Sequence, residues 1–143
     1  MAGLLVLLLT LAVPFTANAG SEVGQADLQQ SFPCPYTGGA GPFLDSGIEV
    51  ALRTKAGMVL IMASFDITLS PGAGFLMRPT IDGTAADGAF ASHFIGEAQG
   101  ERTTLSFSRA YEVSAGRHTF RLQFSCQGNV NATAGWLTVV QIR

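Results

Sequence analysis

The sequence predicts an all-β chain, an antiparallel sandwich preceded by a hydrophobic leader and an extended arm. Three observations carry this expectation. From Gly47 onward, apolar residues recur at every second position, which is the period of a half-buried strand. Breaks rich in Gly, such as Pro71-Gly72-Ala73-Gly74 and Asp82-Gly83, separate the runs at short intervals. No stretch carries an amphipathic helical pattern over three turns. Seven or eight short strands punctuated in this way point to a sandwich.

The first segment, MAGLLVLLLTLAVPFTANAG, has a continuous apolar run from Ala2 to Val13, then a proline, then Ala17-Asn18-Ala19. That layout predicts a signal peptide over residues 1–19, cleaved after Ala19. No Lys or Arg precedes the apolar run, so an upstream start or an uncleaved anchor stays open. The run is shorter than the roughly 20 residues a bilayer span needs. Residues 20–46 follow as a Gly- and Pro-rich arm, in which Pro33, Pro35 and Pro42 exclude a long helix.

Residues 47–143 form the predicted sandwich domain. Ile48, Val50 and Leu52 alternate with Glu49, Ala51 and Arg53 in a first strand, and Ala56-Gly57 turns the chain. The longest candidate, Met58 to Ser70, places Val59, Ile61, Ala63, Phe65, Ile67 and Leu69 on one face. Its opposite face is unusual, because Met58, Leu60 and Met62 are apolar before Ser64, Asp66 and Thr68 turn polar. Such a strand requires cover on both sides, and a two-layer sandwich supplies one. The second cover comes from the arm, from a long loop or from another copy of the protein, and Met58, Leu60 and Met62 are the expected subunit interface.

After the break at residues 71–74, Phe75, Met77 and Ile81 share a side, with Arg78, Thr80 and Asp82 opposite. A short strand is expected near His93 to Ile95 within an otherwise ambiguous segment. Leu105, Phe107, Tyr111 and Val113 then share a face with Arg109. His118, Phe120, Leu122, Phe124 and Cys126 share another, after a turn at Ser114-Ala115-Gly116-Arg117 in which Gly116 can take a positive φ. GWLTVVQIR forms the last expected strand.

Composition narrows the function. The chain has 143 residues, 48% hydrophobic and 13% charged, with a net charge of −2, so a single ordinary domain is expected. The eight Lys and Arg are dispersed, which argues against nucleic-acid binding as the main role. Cys34 and Cys126 are the two cysteines, and both lie beyond the leader. In an exported chain they read as one disulfide, with two separate buried thiols as the alternative. Neither has a second Cys or His at zinc-ligand spacing, so no metal or other cofactor is expected.

Catalytic signatures are weak. No G-x-S-x-G pentapeptide occurs, and His93 and His118 are the only histidines, each expected at a partly exposed strand start. Asp82-Gly83 and Asp87-Gly88 read as turns before Ca²⁺ ligands, because their spacing is not that of an EF-hand loop. Asn131-Ala132-Thr133 fits the glycosylation acceptor pattern. Tyr36 and Trp136 are candidate ligand-facing aromatics for a polysaccharide, although Trp136 reads first as a core residue at the start of the last strand.

The tract LSFSRAYEVSAGRHTFRLQFSC, followed by AGWLTVVQI and preceded at a distance by MRPTIDGT, resembles the C-terminal half of small jelly-roll domains in bacterial and phage surface proteins. Those are similar in architecture to the globular heads of the tumour-necrosis-factor and complement classes. The resemblance covers residues 47–143 and implies a non-enzymatic binding or structural module, commonly a homotrimer, secreted, periplasmic or on a cell or virion surface. The alternative expectation is a carbohydrate-binding module.

Overall fold

The computed structural model describes residues 23–36, 42–86, 92–95 and 100–142. The leader over residues 1–19 lies outside them. The described residues form nine strands: β1 (Val23–Asp27), β2 (Phe32–Tyr36), β3 (Leu44–Thr54), β4 (Gly57–Leu69), β5 (Gly74–Ile81), β6 (Thr84–Ala85), β7 (Ser92–Ile95), β8 (Glu101–Val113) and β9 (Gly116–Gln141). All pairings are antiparallel. The fold is a curled, jelly-roll-like β-sandwich.

β9 organises the molecule. Its first half pairs with β3 on one side and β5 on the other, and its second half with β1 and β2 on one side and β4 on the other. The two expected strands at residues 118–126 and 135–143 are thus one strand that passes from one layer to the other. Gly128 sits at the corner with φ 74°, and a Cβ there would come within 3.2 Å of the Ala73 backbone. Phe124, Ser125 and Cys126 are all buried in succession just before it, where the chain leaves simple alternation.

The alternation seen in the sequence determines the core. Val59, Ile61, Ala63, Phe65, Ile67 and Leu69 of β4 are fully buried, as are Phe120, Leu122 and Phe124 of β9 and Phe75 and Met77 of β5. Phe124 is the centre: its ring lies 5.0 Å from Phe65 of the opposite layer, 4.9 Å from Phe75 and 5.3 Å from Phe32 of β2. Two of these contacts are edge-on, the arrangement that the ring quadrupoles favour.

The Gly- and Pro-rich segment enters the sheet. β1 and β2 are hydrogen-bonded to β9 along its outer side, and β2 tolerates Pro33 and Pro35 because it has a strand on one side only among the described residues. Cys34 and Cys126 form a disulfide across the corner, with Cα atoms 6.0 Å apart and a sequence separation of 92. β3 begins at Leu44, three residues before the expected boundary, because a bulge between Asp45 and Glu49 absorbs the Asp45-Ser46-Gly47 stretch. Asp45 accepts from the Gly47 amide at 2.9 Å, and the buried Ser46 hydroxyl donates to the Leu122 carbonyl at 2.8 Å.

Candidate functional site

The outer face of the β1-β9-β4-β8 layer collects the residues singled out for an interface. Strand register aligns them in rows. One row runs Val23, Val140, Leu60, Ala110; the next runs Gln25, Thr138, Met62, Ser108; the third runs Asp27, Trp136, Ser64, Ser106. At the end of the face the Ile142 amide donates to the Met58 carbonyl, which puts those two residues side by side. Five large hydrophobic residues are exposed among the described residues: Val23 (48%), Leu44 (45%), Met58 (39%), Trp136 (38%) and Ile142 (42%). Four of the five stand on this face.

Trp136 does not lie in the core. Leu137 and Val139 point inward and are fully buried, so the period of two sends Trp136, Thr138 and Val140 outward. Tyr36 pairs through its backbone with Gly128, and its side chain lies outside the described residues. The side chain of His93, on β7, and the whole of Asp87 also lie outside them.

The opposite outer face, on the layer of β3, β9 and β5, is ionic. Arg121 donates to Glu49 at 2.8 Å and to Asp45 at 3.1 Å, and these acids raise its pKa, Glu49 being the main cause. The Arg78 guanidinium sits 3.8 Å over the Phe43 ring and donates to Gln123 at 2.9 Å. The two faces of the sandwich therefore differ in kind.

Further along the apolar face the surface turns polar. A bulge at Thr133 shifts the β4–β9 register between Asp66 and Ile67, leaving Thr133 and Ala134 both exposed. Thr104 donates to the Asp66 carboxylate at 2.7 Å. Two shallow hollows of about 450 and 300 Å³ share Thr68 here, and Asn131 lines the smaller. The side-chain oxygen of Asn131 is buried without a hydrogen-bond partner. Asn131 also lies mid-strand between Pro33 and Thr68, a poor position for a glycan acceptor.

A second cluster lies at one end of the sandwich. His118 is 9% exposed rather than partly open, because the two turns on either side close over it. Its Nδ1 is 2.6 Å from Asp82 Oδ2, and its Nε2 is 3.0 Å from the Ser114 carbonyl and 3.4 Å from the Ser114 hydroxyl. The hydrogen bond to Asp82 raises the His118 pKa above its ordinary value, against desolvation. Asp82 is held below its ordinary value, first by the Thr119 amide and then by His118. The trio has the residue types of a hydrolytic triad with the wrong geometry. A base must accept the serine proton at Nε2, and here that nitrogen faces a carbonyl oxygen, which requires an N–H.

No group of three or more potential metal ligands occurs among the described residues. No protein-family model and no curated protein matches the chain. Solved structures do. A structure of infectious bursal disease virus, Gx strain, superposes with a TM-score of 0.62 at 13% identity, covering 82% of this chain and 31% of the viral one. The chain thus spans about a third of the viral chain it matches. Weaker similarities, with TM-scores of 0.47 and 0.43, link it to the tumour-necrosis-factor protein Eiger of S. frugiperda and to a family 35 carbohydrate binding module of Clostridium thermocellum. The first is 11% identical over 84% of this chain and 86% of that one; the second is 15% identical over 82% and 92%. What this chain shares with the viral structure is its fold, the jelly-roll-like sandwich.

Proposed function

We propose that this is a non-enzymatic structural or binding module that associates with further copies of itself through the outer face of β1, β9, β4 and β8. The observation that supports this most is the gathering of four of the five exposed large hydrophobics on that one face. β1 and β2 join the edge of the layer instead of folding over it, and Met58 stays exposed while Leu60 and Met62 are half-buried. The ionic face on the other side suits solvent. Four strands about 4.8 Å apart and six residues of rise give a face of roughly 400 Å², on which the apolar side chains share the area with Gln25, Thr138, Ser108 and Ser64. That is about half the roughly 800 Å² per partner of a standard interface, so a weak association is expected, and concentrations from micromolar upward are the range to test. Light scattering across that range reads the copy number, and a monomer throughout overturns the proposal.

The disulfide supports a working compartment outside a reducing cytosol, in keeping with export and a surface location. N-terminal sequencing of the exported form should begin at Gly20; an intact Met1 in the membrane fraction replaces the signal peptide with an anchor.

One observation favours a second reading, saccharide binding. Trp136 stands exposed on the same face as a polar stretch holding Asp66, Thr104 and Thr68. An aromatic face next to hydrogen-bonding groups is the combination a sugar ring requires. Retention on polysaccharide by a monomer supports this reading over the first.

A further inference from the structure

We propose that Asp82, His118 and Ser114 form a proton-dependent latch that fastens the β8–β9 turn to the β5–β6 turn and closes one end of the sandwich. The ring's two short contacts carry the inference. His118 presents one ring nitrogen to a carboxylate oxygen at 2.6 Å and the other to a backbone carbonyl at 3.0 Å. Neither partner can donate, so each bond needs an N–H on the ring, and the ring holds both only as an imidazolium. A neutral imidazole keeps one of these two bonds; with Nδ1 protonated, Nε2 turns a lone pair toward the carbonyl and is left with the longer contact to the Ser114 hydroxyl at 3.4 Å.

Each end of the latch is anchored. Asp82 occupies the tight turn after β5 at φ 52°, and its second oxygen accepts from the Thr119 amide at 2.8 Å. Its own amide donates to the Thr119 carbonyl at 2.8 Å. The Ser114 carbonyl also accepts from the Thr54 hydroxyl at 3.0 Å, which brings β3 into the same closure. One ring therefore joins two turns and three strands.

The charges around it are few. Tyr111 and Glu112 of β8 line the hollow of about 400 Å³ that His118 also borders, together with Thr84. On β9 the neighbouring Arg117 is exposed, and Arg53 of β3 stands opposite it, with Lys55 beyond. Of the acids, Asp82 is the one bonded to the ring. Glu112 adds negative charge across the hollow, and the arginines oppose it from the outer face. The local balance favours the protonated ring because the bonded acid is nearest.

The sign follows from the shifts. His118 is raised in the folded state, so its latch is complete below about pH 6.5, the unfolded value, and fails as pH rises through the higher folded one. The latch is a property of one chain and does not depend on the self-association proposed above.

The test is NMR of the exported protein. Both ring nitrogens of His118 should carry protons at pH 6, with a titration midpoint above 6.5. Amide exchange at Asp82–Thr84 and Ser114–Gly116 should report an opening constant that rises about tenfold through that midpoint, after correction for base catalysis, for the loss of one charge-assisted bond. Asp82→Asn should move the midpoint down and advance the opening to lower pH; His118→Gln should remove the pH dependence of opening. A midpoint at or below 6.5, an unprotonated ring nitrogen at pH 6, or turn opening that ignores pH overturns the latch. Should His118→Gln fail to fold, the Asp82→Asn titration and the wild-type exchange decide the matter alone.

Discussion

Gly135 is the position where a single methyl group should cost most. It faces Phe65 across the β4–β9 ladder, and a Cβ built on it would lie 2.0 Å from the Phe65 ring edge and 2.4 Å from the next ring atom. Carbon atoms in contact sit about 3.5 Å apart, so in Gly135→Ala the ring must retreat by about 1.5 Å. It has nowhere to go: Phe65 is fully buried and its far side meets Phe124 at 5.0 Å between centroids. Overpacking of this kind costs about 1–3 kcal/mol, and this case belongs near the upper end because the obstruction is a rigid ring. For a domain of this size that is a fall in melting temperature of roughly 5–12 °C by calorimetry. The double variant Gly135→Ala, Phe65→Leu should cost less than the sum of its parts, since removing the ring removes the clash. Strict additivity, or an unchanged melting temperature in Gly135→Ala, would refute the claim that Phe65 folds beneath Gly135.

The other predictions rest on separate parts of the molecule. Removing the Cys34–Cys126 bridge by a double serine variant releases a loop of 92 residues and should cost roughly 4–5 kcal/mol in the chain-entropy model, read as a lower urea midpoint. Limited proteolysis of that variant should cut first near β2. The Asp82–His118 pair should give a urea midpoint that peaks between about pH 4 and 6.5. The raised His118 loses its contribution as pH climbs through its folded value, and the depressed Asp82 loses its own as pH falls below about 3.9. His118→Gln should flatten the alkaline side; an unchanged slope there contradicts the pairing. Trp136→Ala should leave stability within about 0.5 kcal/mol, as for an exposed site, while abolishing any retention on polysaccharide. Retention that survives the substitution removes Trp136 from the sugar reading.

The strands with strict alternation were legible from the chain alone. β4 is the clearest: all six residues from Val59 to Leu69 assigned to one face are buried, because a period of two leaves no other arrangement. The outward direction of Trp136 was readable by the same parity from Leu137 and Val139, but the general tendency of tryptophan to be buried outweighed it. The continuity of β9 was not readable. Gly128, Asn129 and Asn131 are turn-forming residues, and pairing with β2 and β4 on both sides overrides that local preference. β1 and β2 were hidden for a related reason, since prolines that exclude a central strand are acceptable at an edge. The closeness of His118 to Asp82, 36 residues away, depends on how two hairpin ends meet and has no local signature.

Self-association through the apolar face is tested most directly by the mass of the wild-type protein and of Leu60→Asp. Leu60 stands between Val140 and Ala110 in the middle of the face, while the core side of β4 through Ile61 and Phe65 is untouched by the change. A charge there removes roughly 1.5–3 kcal/mol of apolar burial per copy and adds the desolvation of a carboxylate. Sedimentation equilibrium from one to a few hundred micromolar should show an oligomer for the wild type and a monomer for Leu60→Asp, with β-rich circular dichroism in both. A wild type that stays monomeric over that range, or a Leu60→Asp variant that keeps the wild-type mass, contradicts the account.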